Sequence, residues 1–412
     1  MFSTGLVLAG ASALGAYEVG VLDYLVDRVA RDVRVAMPDV VTGTSAGAIN
    51  AMALAAFADR PSRGTHLLMA AWQELRIDRV VRPSSIELLS MLLDVTGAPR
   101  GIRRALEARA IGGGLLDAMP IARLVARIPF HRIGDHVAAG RLRGVAVSAT
   151  RVATGEAVIF HQAENLAKPW HPSSNLVPVA TQITSDHVLA SAAIPLLFPA
   201  VRIDGDSYCD GGLRQMVPLS PALHLGADRL LVINPIPAAP KPASAARSFS
   251  VTSPLYLAGK ALNALFADRV EADLERLNST TQLLRAGSRR YGPAFEHEIN
   301  VELARAGEPT LRMVHAQCIE PSQDLGALAT EYVISSEFRA RASGVAGTAL
   351  RCIADGDPSR VGDLLAYVLF DGGFTRQLIE LGRADARARH EDLCGLFDAP
   401  APLRVGHTPS GA

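Results

Sequence analysis

A short apolar run, a glycine-rich turn and a helix-forming stretch follow one another twice between Thr4 and Phe57. Thr4 to Ala9 reads as a buried strand ending in Gly10-Ala11-Ser12-Ala13-Leu14-Gly15. Ala16 to Ala30 then places Val19, Leu22, Leu25, Val26 and Val29 on one helical face. Val40-Val41-Thr42 is the second strand, Gly43-Thr44-Ser45-Ala46-Gly47 the second turn, and Ala48 to Phe57 the second helix. Repeated β-α units of this kind imply a parallel sheet with helices on its faces. With 49% hydrophobic and 20% charged residues over 412 positions, the chain has ample material for such a core and is not a disordered, collagen-like or coiled-coil sequence.

The rest of the chain extends the same architecture. Residues 60 to 135 are mostly helical in pattern, and Gly140 to Phe160 reads as two strands joined at Thr154-Gly155-Glu156. Val188 to Ala193 is a helix stopped by Pro195, Val201 to Leu219 a strand, turn and loop, and Arg229 to Ile233 another buried strand. The Pro-, Ala- and Ser-rich stretch from Asn234 to Pro254 is the best boundary. An amphipathic helix follows, with Leu262, Leu265, Phe266, Val270, Leu274 and Leu277 on one face. Leu311 to Ile319 looks like one more strand, and Leu364 to Arg389 is helical. The expected division is an α/β unit over residues 4–235, a mainly helical extension over 255–398 packed on it and a loose tail over 400–412.

Charge and cysteine usage remove several classes of function. Lys+Arg and Asp+Glu are both 41, whereas a nucleic-acid protein should carry a basic surplus, so no nucleic-acid partner is expected. Cys209, Cys318, Cys352 and Cys394 are scattered, without a CxxC pair, so neither a zinc cluster nor a disulfide framework is indicated. Neither a metal nor an organic cofactor is expected. No basic segment precedes the first apolar run, which argues against a signal peptide. Val35 to Ala58 comes nearest to a membrane span, but Pro38, Asp39, Gly43, Gly47 and Asn50 fit a strand, turn and helix better. A cytoplasmic location follows, with any lipid contact peripheral. Acids at Asp268, Glu271, Asp273 and Glu275 make the amphipathic helix better suited to docking on the core than to an anionic membrane. The Arg103-Arg104 pair reads as a solvated helix face.

Gly43-Thr44-Ser45-Ala46-Gly47 matches G-x-S-x-G between a strand and a helix. In such an elbow the serine stands on a tight turn, the glycines leave room where side chains would clash, and the helix N-terminus faces the reacting centre. A serine nucleophile needs a base. Only two strands precede Ser45, which fits the usual Ser-Asp-His hydrolase scaffold poorly, and no histidine lies in a motif marking it as a base; His187 and His224 come closest. The alternative is Asp210, in Tyr208-Cys209-Asp210-Gly211-Gly212-Leu213, where desolvation would raise the carboxylate's basicity. Asp371-Gly372-Gly373 repeats the pattern within a helical stretch and reads as a helix break, and Gly112-Gly113-Gly114 as a loop. The first turn, Gly10 to Gly15, suits a nest of backbone N–H groups for a phosphate or an oxyanion. It lacks the G-x-G-x-x-G of a dinucleotide site, because position 12 is Ser12, and no acid follows the second strand.

In chain order, these segments resemble the patatin-like phospholipases. Leu8 to Tyr17 stands where that family has its glycine-rich oxyanion loop, and Gly20-Val21-Leu22 continues like its first helix. Thr42 to Asn50 is similar to its elbow almost residue for residue. Ala190 to Pro195 with Phe198-Pro199 resembles the segment ahead of its aspartate, Asp210-Gly211-Gly212 its D-G-G/A motif, and Val217-Pro218-Leu219 the sequel. The resemblance implies a three-layer α/β/α sandwich with a mostly parallel central sheet, a Ser45–Asp210 dyad without histidine, and hydrolysis of phospholipid or other lipid acyl esters. It also implies oxyanion N–H groups from Gly10, Ala11 and Ser12, joined by that of Ala46. Leu196, Leu197 and Phe198 are candidates for lining an acyl pocket. One departure stands out: the family's loop is usually Gly-Gly-Gly-x-Arg/Lys-Gly, and here Ala11 and Ser12 replace glycines and Leu14 the basic residue. Ala and Ser resist dihedrals that glycine accepts, so a lipid-binding relative with an impaired oxyanion loop is the alternative reading.

Overall fold

The computed structural model describes residues 3–33, 37–80, 117–164, 170, 176–195, 197–236, 274–306, 310–342, 347–348, 350–351, 362 and 365–398. Strands β1 (Thr4–Leu8), β2 (Val40–Thr44) and β3 (Gly144–Arg151) are almost wholly buried and pair in parallel. β4 (Ala157–Ala163) turns back antiparallel on β3, and β5 (Leu176–Ala180) lies parallel to β4 at the edge. Pro178 in β5 suits an edge, where a missing N–H interrupts no central ladder. A short hairpin of β6 (Val201–Ile203) and β7 (Asp206–Asp210) branches from the end of β3. On the other side, β8 (Arg229–Ile233) pairs with β1, and β9 (His315–Ile319) with β8, both in parallel. The sheet order is β5-β4-β3-β2-β1-β8-β9, a mostly parallel centre between helical layers.

The first helix, α1 (Gly15–Tyr24), begins one residue before its expected start and continues through a π-turn, Leu25–Val29, to Asp32. Its residues Gly15 to Leu22 are buried on every side rather than on one face. The cause lies far along the chain, because the long helix over Gly372–Ala388 packs against its outer face. A β-carbon on Gly20 would stand 2.0 Å from the Ile379 carbonyl oxygen, and one on Gly382 2.2 Å from that of Tyr17. The two glycines therefore let the helices touch backbone to backbone. The Asp23–Arg383 ion pair (2.7 Å) and the Tyr17 hydroxyl donating to Asp385 Oδ2 (3.0 Å) fix the register.

Elsewhere, α2 (Ala46–Ala56) starts directly after Ser45, two residues ahead of expectation. α3 (Pro61–Gln73), α4 (Met119–Val125) and α5 (His131–Ala138) supply the helices expected before β3. α6 (Ser185–Ser191) begins and ends earlier than the expected Val188–Ala193, because Thr184 and His187 form a capping box at its start. Of the strand expected over Leu311–Ile319 only His315–Ile319 forms, since the Asn300 side chain takes up both the N–H and the carbonyl of Leu311. A helix over 274–291 packs Leu274 and Leu277 against the core; the earlier part of that amphipathic pattern lies outside the described residues. So do Gly112-Gly113-Gly114, Arg103-Arg104, Leu196, most of Asn234–Pro254 and the tail from Pro400. Among the described residues no helix is long and apolar enough to cross a membrane.

Two glycine substitutions should move stability in opposite directions. Gly20→Ala places a methyl group on the Ile379 carbonyl and should destabilise by about 1–3 kcal/mol. Gly395→Ala, in the helix His390–Phe397 with nothing near its β-carbon, should stabilise by about 0.5–1 kcal/mol. Chemical denaturation of both variants checks the signs.

Candidate active site

The C-terminal ends of β1 and β2, the end of β7 and the start of α2 converge at the C-terminal end of the central strands. Ser45 joins β2 to α2 with φ 54° and ψ −125° and is 4% exposed. Such a conformation is costly for a side-chain-bearing residue and needs the surrounding chain to impose it. The flanking glycines permit the necessary closeness: a β-carbon on Gly43 would lie 2.4 Å from the Gly47 oxygen, and one on Gly47 2.5 Å from the Leu8 and Ala9 oxygens. The Ser45 N–H donates to Ser191 Oγ at 2.9 Å, and that hydroxyl donates to the Ser148 carbonyl at 2.6 Å. Ser191 thus ties the turn to β3. Thr44 Oγ1 donates to the Gln215 carbonyl, and Ser148 Oγ to Gln215 Oε1, which ties the turn to the loop after Asp210.

Asp210 ends β7 opposite Ala149 and is 2% exposed. Its backbone is pinned on both sides, N–H to the Ala193 carbonyl and carbonyl to Thr150 Oγ1, each at 2.9 Å. Its Oδ1 accepts the Gly212 N–H at 2.7 Å, whereas the buried Oδ2 has no partner in full hydrogen-bond geometry. Burial pushes the carboxyl up to about 7, opposed by interactions of its charged form with the Ser45 hydroxyl and the Gly212 N–H. The Ser45 hydroxyl therefore lies near the carboxylate but short of a fully formed hydrogen bond. Gly211 allows the turn to press on β3, since a β-carbon there would meet the Ser148 oxygen at 2.2 Å, and one on Gly212 would meet Met216 Cε at 2.8 Å.

The glycine turn borders the same space, because a β-carbon on Gly10 would lie 3.3 Å from that of Ser45. Of the expected oxyanion donors, the Gly10 N–H donates to the Met216 carbonyl at 2.9 Å. The N–H groups of Ala11 and Ser12 donate to no backbone carbonyl among the described residues. That of Ala46 opens α2, where no intrahelical acceptor exists. Ala11 sits at φ −150°, accessible to any residue, while Ser12 takes the left-handed φ of 52°. The Ser12 hydroxyl is anchored by donating to the Tyr367 carbonyl at 2.6 Å.

Neither candidate histidine joins the site. His187 Nδ1 accepts from the Thr184 N–H at 3.0 Å, and its ring packs on Phe160. The ring of His224 stacks on Trp170 with centroids 4.5 Å apart. Asp371 is more than a helix break. It N-caps Gly372–Ala388, accepting from the Gly373 N–H, the Tyr332 hydroxyl and Arg341 Nε. Although remote in sequence from Ser45, the segment just before it packs near the site, through Tyr367 on Ser12 and Phe370 edge-on to Phe198 at 6.3 Å. Phe198 is 8% exposed and Leu197 half-buried beside it. Sequence reasoning assigned no role to Ser191, Gln215, Met216 or Tyr367. Ser191 lies in a recognised segment, but nothing local marks its hydroxyl as the support of the elbow.

Because its carboxyl titrates higher in the folded chain than the ordinary 3.8, Asp210 favours folding fully only below about pH 4 and costs stability as pH rises toward about 7. Asp210→Asn, which keeps an acceptor for the Gly212 N–H, should therefore raise Tm at about pH 8 and leave it nearly unchanged at about pH 4. Paired thermal melts at the two pH values measure this.

No curated protein matches the sequence. Among solved structures, the crystal structure of VipD from Legionella pneumophila is similar, at 13% identity over 92% of this chain and 67% of that one. Its TM-score of 0.29 is too low for any structural detail to be transferred. The family model for patatin-like phospholipases matches residues 6–223, from β1 through Ser45 and Asp210 to the helix before β8. Since that match covers more than half of the sequence, the chain belongs to the patatin-like phospholipase family, a family of lipid acyl hydrolases.

Proposed function

We propose that this protein hydrolyses carboxylic esters of phospholipids or related lipids through a Ser45–Asp210 dyad. The observation that carries the reading is the pairing of a serine on a strained elbow with a buried carboxylate poised near neutral pH. Ser45 Oγ attacks the ester carbonyl while Asp210 takes its proton. Collapse of the tetrahedral intermediate breaks the ester bond, and the proton passes from Asp210 to the departing alcohol. Water then attacks the acyl-enzyme with Asp210 again as base, releasing the fatty acid and restoring the Ser45 hydroxyl. The N–H groups of Ala46, Ala11 and Ser12 stabilise the oxyanion, with Gly10 holding the turn in place through Met216. Phe198, Leu197 and Phe370 provide apolar surface for the acyl chain.

The test is hydrolysis of p-nitrophenyl esters from butyrate to palmitate. Ser45→Ala and Asp210→Asn should each lower kcat by roughly 10³-fold or more. Wild-type protein no faster than Ser45→Ala would favour the lipid-binding alternative. The pH profile is a second check. Because the base must be ionised, kcat/KM should fall about tenfold per pH unit below about 7 and level off above it. A histidine base would survive Asp210→Asn with its own pH dependence.

A further inference from the structure

Where the turn after α3 meets α4, a cleft of about 370 Å³ is lined by four arginines, Arg76, Arg79, Arg123 and Arg127. Glu74 is the only carboxylate on its wall among the described residues. Glu74 is held by Arg127 at 2.7 Å, an exposed pair of small energetic weight. Arg76 Nη2 donates to the Arg341 carbonyl at 2.5 Å and stands 3.9 Å from the Asp78 carboxylate. Among the described residues, no hydrogen bond, ion pair or ring contact engages the side chain of Arg79 or Arg123, and both are exposed. Among the described residues the lining therefore carries an excess of positive charge, with two guanidinium groups uncommitted. The floor is apolar, made by Leu75 and Leu124, which are 4% and 3% exposed.

Guanidinium groups drawn around one cleft repel each other, and an anion with several oxygens relieves the repulsion. The planar fork of arginine matches phosphate oxygens in pairs. We propose that this cleft binds the phosphate group of an anionic lipid headgroup, its apolar floor taking the adjoining glycerol carbons. The site lies outside the Ser45 machinery and goes beyond ester hydrolysis. The two are nevertheless joined by one short segment. The Leu75 carbonyl accepts the Gly372 N–H at 2.8 Å, and the Tyr367 carbonyl, a few residues earlier, accepts the Ser12 hydroxyl. Even fully extended, that segment spans only roughly 18 Å, so a headgroup held in the cleft keeps a lipid surface close to the glycine turn.

The test uses full-length Ser45→Ala protein, so that vesicle lipid is not consumed and failure of the hydrolase reading does not affect the result. Cosedimentation is measured with phosphatidylcholine vesicles, with and without phosphatidic acid. Binding should require phosphatidic acid and weaken with salt. It should fall at least ~10-fold in Arg79→Gln/Arg123→Gln, where two charge-assisted contacts are lost. Arg305→Gln, an exposed arginine on the helix Phe295–Arg305, should bind as the parent does. Inorganic phosphate is the second probe. A phosphate-dependent rise in Tm that needs Arg79 and Arg123, without vesicle binding, supports the phosphate chemistry and identifies the free anion as its source. Absence of binding to both probes, or equal binding by the double variant and its parent, overturns the proposal.

Discussion

Ser45 is held in a backbone conformation that L-residues avoid, and the surrounding architecture exists to make it tolerable. Strain of this kind costs about 1–3 kcal/mol. It is offset on one side by the fully buried, alanine-rich α2, whose small side chains let the helix lie close on the sheet. On the other side the Ser191 hydroxyl accepts from the Ser45 N–H and donates to the Ser148 carbonyl. Because Asp210 pairs across β3 only one residue beyond Ser148, the strand that braces the elbow also sets the position of the carboxylate. Ser45 and Asp210 are thus referenced to one strand rather than to two independently moving loops.

The burial of Asp210 is expensive. A carboxylate with a single N–H partner and an unpaired second oxygen ionises reluctantly, and burial pushes it up to about 7. Asp371 shows what the same three-residue motif does elsewhere. Its Oδ1 takes a tyrosine hydroxyl, an arginine and a backbone N–H together, and its role is to start a helix. The motif is shared, but three donors surround the Asp371 carboxylate and one meets that of Asp210. A second buried carboxyl, Glu18, is pushed well above the ordinary range by burial. Its Oε2 accepts from Asn50 Nδ2, which also donates to the Gly15 carbonyl, while Trp72 donates to Asn50 Oδ1. This polar cluster locks the helix leaving the glycine turn to the helix leaving the elbow.

The elements near the site were largely readable from local pattern. Alternating glycine turns and apolar runs specify β1, α1, β2 and α2, since each turn needs its glycines and each buried strand its unbroken apolar stretch. Segment ends were less legible. The capping of α6 by Thr184 and His187, and the loss of Leu311 to the Asn300 side chain, are side-chain choices that periodicity does not encode. The first glycine turn, Gly10 to Gly15, shows the same limit. Its composition pointed to strain at Ala11 or Ser12, but only the folded chain places the left-handed residue at Ser12, with Tyr367 as its anchor, and commits the Gly10 N–H to Met216.

Two motifs are legible along the chain and point to the class of chemistry: a serine between two glycines at a strand–helix junction, and an aspartate followed by two more. Those features are local, because a tight turn excludes side chains wherever it occurs. Tertiary structure decided everything that depends on residues distant in the chain. It buried α1 on all sides with a helix from the far end of the sequence, brought Tyr367 and Phe370 onto the site, and gathered Arg76, Arg79, Arg123 and Arg127 around one cleft. Contacts across hundreds of residues leave no periodic trace, since their selection rests on shape and charge in three dimensions rather than on spacing along the chain.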